Sequence, residues 1–166
     1  MMLYILRHAT AEAAASSGDD GARKLTERSK EKMRAAAAGL RAMGLKFDAI
    51  LTSPLARAAE TAEIVSAAYE NTPPPQVLPA LATGVPAADA VAALRAFAKH
   101  GEVMIVGHEP QLSSIASILL AGAGDVVHMK LKTGGCVAIG LPPRFERGGG
   151  ELRWMLTHRQ LRQMRK

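Results

Sequence analysis

The sequence predicts a three-layer α/β/α sandwich with a mostly parallel central sheet. Strand-like and helix-like segments alternate along the chain, the pattern of a layered α/β domain. Residues 103–107 form a continuous apolar run, as expected of a strand buried on both faces. Two shorter apolar runs, near 2–7 and 47–53, each lead into polar residues and then a helix.

The elements follow in order. The first strand covers about residues 2–7. A small, polar loop with Ser16, Ser17, Gly18, Asp19, Asp20 and Gly21 comes next. Thr26 is placed to N-cap a helix, with Ser29 standing where a capping-box glutamate would stand. That helix is expected to run to about Met43 and stop at Gly44. Residues 47–53 read as a second strand, ended by Ser53-Pro54, and a helix is expected over 55–69. Residues 71–75, with three consecutive prolines, form a rigid connector. An alanine-rich helix over 87–99 closes on Lys99, His100 and Gly101, where His100 favours the helix dipole. The apolar strand ending at His108 leads into a helix over about 110–120. Strands near 126–131 and 136–141 precede a last one at 151–157, and the final two form an antiparallel hairpin across Gly148, Gly149 and Gly150. No internal repeat or domain boundary is visible, so residues 1–166 are expected to form a single domain.

Composition narrows the functional classes. Hydrophobic residues make up 48% of the chain and charged residues 22%, which suits a globular protein with a sizeable core. The formal charge of +6 favours acidic partners without choosing among them. Much of the excess sits at Arg159, Arg162, Arg165 and Lys166, read as a solvated helix end. A nucleic-acid binder would interleave basic residues with exposed aromatics, and aromatics here are only 4%; no nucleic-acid partner is expected. The single cysteine, Cys136, sits in an apolar stretch and reads as a packed strand residue, with no CxxC metal pattern. The N-terminal apolar run is short and interrupted by Arg7, and no run is long enough to span a bilayer. A cytoplasmic location and no membrane contact are therefore expected.

Three strand ends carry the chemistry. The first delivers Arg7 and His8, the second Ser53 with Arg57 one turn into the next helix, and the third His108. Parallel strands would bring all three to one edge of the sheet, where open α/β sheets place ligands. Helix N-termini there would add N–H donors and a favourable dipole for an anion. Arginine's planar fork matches phosphate oxygens, and histidine is a nucleophile or proton carrier near neutral pH. Together they suggest phosphoryl transfer to histidine, stabilised by cationic side chains without a metal or other cofactor. A metal held by His8 and His108 would be repelled by Arg7 and Arg57. His128 and His158 have no evident partners and read as surface residues.

Four stretches stand in a telling order: Leu6-Arg7-His8-Ala9, Leu25-Thr26-Glu27-Arg28, residues 52–62 (TSPLARAAETA) and residues 106–113 (VGHEPQLS). By these motifs the chain resembles the histidine phosphatase (phosphoglycerate mutase-like) superfamily, and within it the small SixA-type phosphohistidine phosphatases. It implies that His8 is the phosphorylated nucleophile, that Arg7 and Arg57 bind the phosphoryl oxygens, and that His108 donates to the same oxygens. Ser53 would shape the phosphate-binding pocket or form the turn beside it. Three departures stand out. The usual glycine after the nucleophile is Ala9, and the asparagine of mutase-like members is replaced by Ala14. The stretch 81–84, which corresponds to their acid-bearing region, has no carboxylate. In the acid phosphatase branch an aspartate follows the second histidine; here Glu109 holds that position and is a candidate acid, with Glu12 a weaker one.

The expected activity is metal-independent hydrolysis of phosphohistidine on a protein, such as a phosphotransfer domain, through a phosphohistidine enzyme intermediate. Short connections predict an open pocket, able to take a side chain on a folded protein or a small phosphorylated metabolite. The alternatives are a small-molecule phosphomonoesterase using the same residues, and a phosphate-binding module without turnover.

Overall fold

The computed structural model describes residues 1–13 and 20–165. Ala14, Ser16, Ser17, Gly18, Asp19 and Lys166, all weighed above, lie outside the described residues. Six strands form one sheet: β1 (Met2–Arg7), β2 (Ala49–Thr52), β3 (Gln76–Val77), β4 (Glu102–Gly107), β5 (Cys136–Gly140) and β6 (Glu151–Leu156). Five α-helices flank it: α1 (Glu27–Ala42), α2 (Ala56–Ser66), α3 (Ala87–Leu94), α4 (Gln111–Ala121) and α5 (His158–Gln163). The strand order is β3-β2-β4-β1-β5-β6. The first four strands of that order run parallel, and β5 is antiparallel to both β1 and β6. This is the three-layer sandwich with a C-terminal hairpin that the sequence predicts.

Alternation along the strands divides the core. Leu3, Ile5, Val103, Ile105, Val137 and Ile139 face α3 and α4, where they meet Ala90, Leu94, Ile115 and Leu119. Tyr4, Leu6, Met104, Val106 and Ala138 face α1, α2 and α5, against Met33, Leu40, Ala62, Val65 and Leu161. Each fully buried aliphatic side chain contributes about 1.5–3 kcal/mol. Cys136 is buried in this second layer, as expected, and burial pushes its thiol pKa up.

The helix starts and stops follow local chemistry. Thr26 accepts the Ser29 N–H through its hydroxyl, at 3.2 Å, and Gly44 ends α1 at φ +78°. Asp48 falls before β2 rather than in it, and its carboxylate accepts the Gly101 and Glu102 N–H groups at 2.7 and 2.9 Å. The alanine-rich helix is shorter than expected: α3 stops at Leu94 and a 3-10 turn, Arg95–Phe97, replaces its last turns. The two-residue edge strand β3 is too short for any periodicity to announce.

The strand expected near 126–131 does not form. The hydrogen bonds a strand would need are taken elsewhere: Ser117 Oγ accepts the Val126 and Val127 N–H groups and donates to the Ala123 carbonyl. Both places beside β1 are already filled by β4 and β5, so this segment crosses the end of the sheet and buries Leu131.

The basic C-terminal segment is a short helix with a full capping box between Thr157 and Gln160. It is not merely a solvated end, because Leu161 is buried against α1. Gly39 permits this contact: a Cβ there would lie 1.9 Å from the Leu161 carbonyl oxygen. His158 is likewise not a free surface residue. Its Nε2–H donates to the Lys32 carbonyl at 3.1 Å, and its ring lies under Gly134, whereas His128 is exposed.

Candidate active site

Register places the three chemical strand ends together. Arg7 pairs with Gly107 across β1 and β4, and Thr52 pairs with Val106 across β2 and β4. The ladder continues one residue further: the His8 N–H donates to the Gly107 carbonyl at 3.1 Å and the Ser53 N–H to the Val106 carbonyl at 2.9 Å. His8, Ser53 and His108 thus leave the sheet side by side at its carboxyl edge. The Gly134 N–H ties down the first of these ends by donating to the Arg7 and His8 carbonyls at 3.0 and 3.2 Å. Gly134 sits at φ +69°, a conformation open to glycine at little cost.

A cavity of about 380 Å³ opens at this edge, and Arg7, His8, Arg57, His108 and Glu109 all line it. Asp20, Arg23 and Thr83 line it as well. The His8 and His108 ring centroids are 5.0 Å apart. His8 Nδ1–H donates to the Ala9 carbonyl at 2.6 Å, which leaves the Nε2 lone pair as the ring's nucleophilic position. Ala9 is itself anchored, its N–H donating to Thr61 Oγ1 at 3.1 Å. Arg7 Nη1 donates to the Leu131 carbonyl at 2.9 Å, so the segment that fails to form a strand positions this guanidinium. Arg7 Nε is buried without a partner among the described residues.

Ser53 stands behind His108 rather than in the cavity. Fully buried, it has its Oγ 2.8 Å from His108 Nε2, and that oxygen also accepts the Leu55 N–H at 3.3 Å. If the Ser53 hydroxyl donates to Nε2, every one of these groups is satisfied and the His108 proton resides on Nδ1. On that tautomer the Nδ1–H, buried and unpartnered among the described residues, is free to donate to an anion.

Glu109 lines the cavity, but both its oxygens are engaged at the start of α4. Ser113 Oγ donates to Oε1 at 2.6 Å and the Ser113 N–H to Oε2 at 3.2 Å. Glu12 is exposed, and its backbone carbonyl accepts Arg23 Nε and Nη2.

Asp20 and Arg23 escaped the sequence reading. Arg57 Nη1 donates to the Asp20 carbonyl at 2.7 Å and Nη2 to Asp20 Oδ2 at 3.1 Å, while Arg23 Nη1 holds Oδ1 at 2.8 Å. The only signal was a pair of opposite charges three residues apart in a loop. Among the described residues, no group of three or more His, Cys, Asp or Glu could hold a metal ion. No helix among them is long and apolar enough to cross a membrane.

Both histidines are neutral at pH 7. Burial lowers the His8 pKa to about 4, with Arg57 and Arg7 adding to the shift against the opposing Ala9 hydrogen bond. Burial lowers the His108 pKa to about 3, helped by His8 and Arg57. In the unfolded chain both titrate near 6.5, so between these values the unfolded state binds more protons. Their contribution to stability is therefore complete above about pH 6.5 and is lost as pH falls toward 4 and then 3. We expect the urea midpoint to drop steeply over that window, by on the order of a few kcal/mol in unfolding free energy. A His108→Gln variant should show a shallower fall.

Residues 3–83 match the histidine phosphatase superfamily (branch 1). An uncharacterized protein of Picosynechococcus sp. is 37% identical over 141 residues, covering 84% of each chain. Among solved structures, a protein histidine phosphatase SixA complexed with tungstate superposes with a TM-score of 0.84 at 24% identity, over 97% of this chain and 99% of that one. An alpha-ribazole phosphatase from Shigella flexneri superposes with a TM-score of 0.75 at 20% identity, over 95% and 97%. The chain belongs to the histidine phosphatase superfamily. Its sheet and helices are those of the phosphoglycerate mutase-like fold.

Proposed function

We propose that this chain is a metal-independent phosphatase that hydrolyses phosphohistidine on a protein, with His8 as the nucleophile. His8 Nε2 attacks phosphorus in line while Arg7, Arg57 and the His108 Nδ1–H hold the phosphoryl oxygens. The substrate ring arrives protonated on its second nitrogen. Its P–N bond breaks, the electron pair goes to the ring nitrogen, and it departs as neutral imidazole. His8 becomes a phosphorylated imidazolium whose Nδ1–H stays on the Ala9 carbonyl. Water then attacks phosphorus, its protons remain on the released phosphate, and His8 leaves as neutral imidazole again. Neither step needs a general acid.

The observation that carries this reading is the state of the carboxylates at the cavity. Both Glu109 oxygens accept from Ser113, and the two Asp20 oxygens accept from Arg57 and Arg23. Such a site suits a leaving group that is already protonated better than an alkoxide, which must be protonated as it leaves. The SixA fold match supports the same substrate class.

A small phosphomonoester is the second reading. Glu109 stands directly after His108 and lines the cavity, and an alpha-ribazole phosphatase shares the fold. Phosphate release from a phosphohistidine-bearing phosphotransfer protein and from p-nitrophenyl phosphate separates the two. Faster turnover of phosphohistidine is expected. On this second reading Glu109 serves as the acid, so Glu109→Gln should lower turnover of an alkyl phosphate by about tenfold or more relative to phosphohistidine. Equal losses on both would break the link between the missing acid and the substrate.

A further inference from the structure

Asp20 has no place in the phosphoryl-transfer scheme above, yet it lines the cavity beside Arg57. Its carboxylate bridges two guanidinium groups, from Arg57 at 3.1 Å and from Arg23 at 2.8 Å. The Arg57 side chain is only 7% exposed whereas that of Asp20 is 59% exposed, so the pair runs from the cavity floor to its rim. Arg23 is fixed in turn, its Nε and Nη2 donating to the Glu12 carbonyl at 2.9 and 2.6 Å.

This arrangement has two consequences. An incoming phosphoryl group competes with Asp20 Oδ2 for Arg57 Nη2. Once that bond is given up, Arg23 still holds Oδ1, so Oδ2 becomes a free anionic acceptor at the rim. In-line attack from His8 sends the leaving group away from the floor and toward that rim. Leaving groups differ in what they offer there. A protonated imidazole presents an N–H and a positive charge, which a carboxylate binds with a charge-assisted hydrogen bond. The oxygen of an ester leaving group offers only lone pairs and developing negative charge, which a carboxylate repels.

We infer that Asp20 is a specificity-determining residue: in the resting site it occupies the Arg57 fork, and in the substrate complex it accepts a hydrogen bond from the N–H of a protonated imidazole leaving group. The inference rests on the phosphohistidine reading above and names the group that selects for it. Asp20 takes up no proton in the step. Hydrogen bonding from Arg23, followed by the charge of Arg57, holds its carboxyl below the ordinary range, so it is no substitute for a general acid.

The test compares wild type, Asp20→Asn and Asp20→Ala on two small substrates, phosphoimidazole and p-nitrophenyl phosphate, with inorganic phosphate as inhibitor. Small substrates remove any contribution from protein docking. Both variants should lose about tenfold in kcat/KM on phosphoimidazole, the size of one lost hydrogen bond to a charged group. On the phenyl ester kcat/KM should rise, by about threefold, and inorganic phosphate should inhibit more strongly, because a competing negative charge has gone. A ratio of the two kcat/KM values within about twofold of wild type would overturn the inference, as would parallel loss of both activities or weaker inhibition by phosphate. If wild type itself spares phosphoimidazole while cleaving the ester, the functional reading fails and this inference fails with it. Equal effects in variants of an enzyme active on both substrates would remove the inference alone.

Discussion

His8→Ala should abolish phosphate release, lowering turnover by at least about 10⁴-fold, the scale seen when a covalent nucleophile is removed. In the proposed scheme His8 provides the reacting lone pair, and no other described side chain lines the cavity in the same relation to both arginines and His108. His108 cannot take its place, because its Nε2 lies against Ser53 Oγ inside the protein. The loss should be catalytic and not structural. His8 is held half-buried as a neutral base with a pKa lowered to about 4, so removing it relieves a cost that grows below pH 6.5. The variant should therefore unfold at a similar urea concentration at pH 7.5 and be relatively more resistant than wild type at pH 5. Substantial turnover in His8→Ala, measured as phosphate release on either substrate, would contradict the scheme.

Arg57→Lys should be nearly as damaging, costing about 10²–10³ in kcat/KM. The guanidinium makes two bonds in the resting site, to the Asp20 carbonyl and carboxylate, and in the proposed scheme the same fork takes two phosphoryl oxygens. An ammonium is a point charge and cannot reproduce that geometry. It would also release Asp20 and the turn that carries Arg23, loosening a second cation at the rim. Steady-state kinetics with inorganic phosphate as inhibitor is the appropriate measurement. Retention of a third or more of wild-type kcat/KM would show that charge alone, without the fork, suffices.

The parts of this protein legible in its sequence are those set by local patterning. The strands β1, β2 and β4 are apolar on both faces, because helices cover both sides of the sheet, and each ends where polar residues begin. That pattern was enough to bring Arg7, His8, Arg57 and His108 to one edge. Asp20 and Arg23 were not legible because their position depends on a tertiary approach to Arg57, which no periodicity records. The segment 126–131 has strand composition, but the side chain of Ser117, on a different element, takes the hydrogen bonds a strand would need. The sequence puts Ser53 either at the phosphate pocket or in the turn beside it, and its Oγ accepts the Leu55 N–H in that turn. Its burial behind His108 follows from the one-residue continuation of the ladder beyond β2.

Other residues entered only as parts of a motif, and the structure supplies their physical reason. In residues 52–62, Thr61 accepts the Ala9 N–H and donates to the Arg57 carbonyl at 2.7 Å, tying the loop that carries His8 to the helix that carries Arg57. Glu60 accepts the Leu25 N–H at 2.7 Å and so fixes the entry to α1. Gly39 has no such motif. Its meaning lies in the carbonyl of Leu161, more than a hundred residues away in the chain, which only a bare backbone can approach.

In the proposed scheme the phosphoryl group passes through His8. A rapid-quench experiment tests it most directly: mix the protein with a labelled phosphohistidine-bearing phosphotransfer protein in EDTA, quench in base, where phosphohistidine survives, and map the label on peptides. Label should appear on the peptide containing His8 and decay as fast as phosphate is released, and it should be absent in His8→Ala. Phosphate released at the full rate with no label on His8, or with label on another residue, would contradict it.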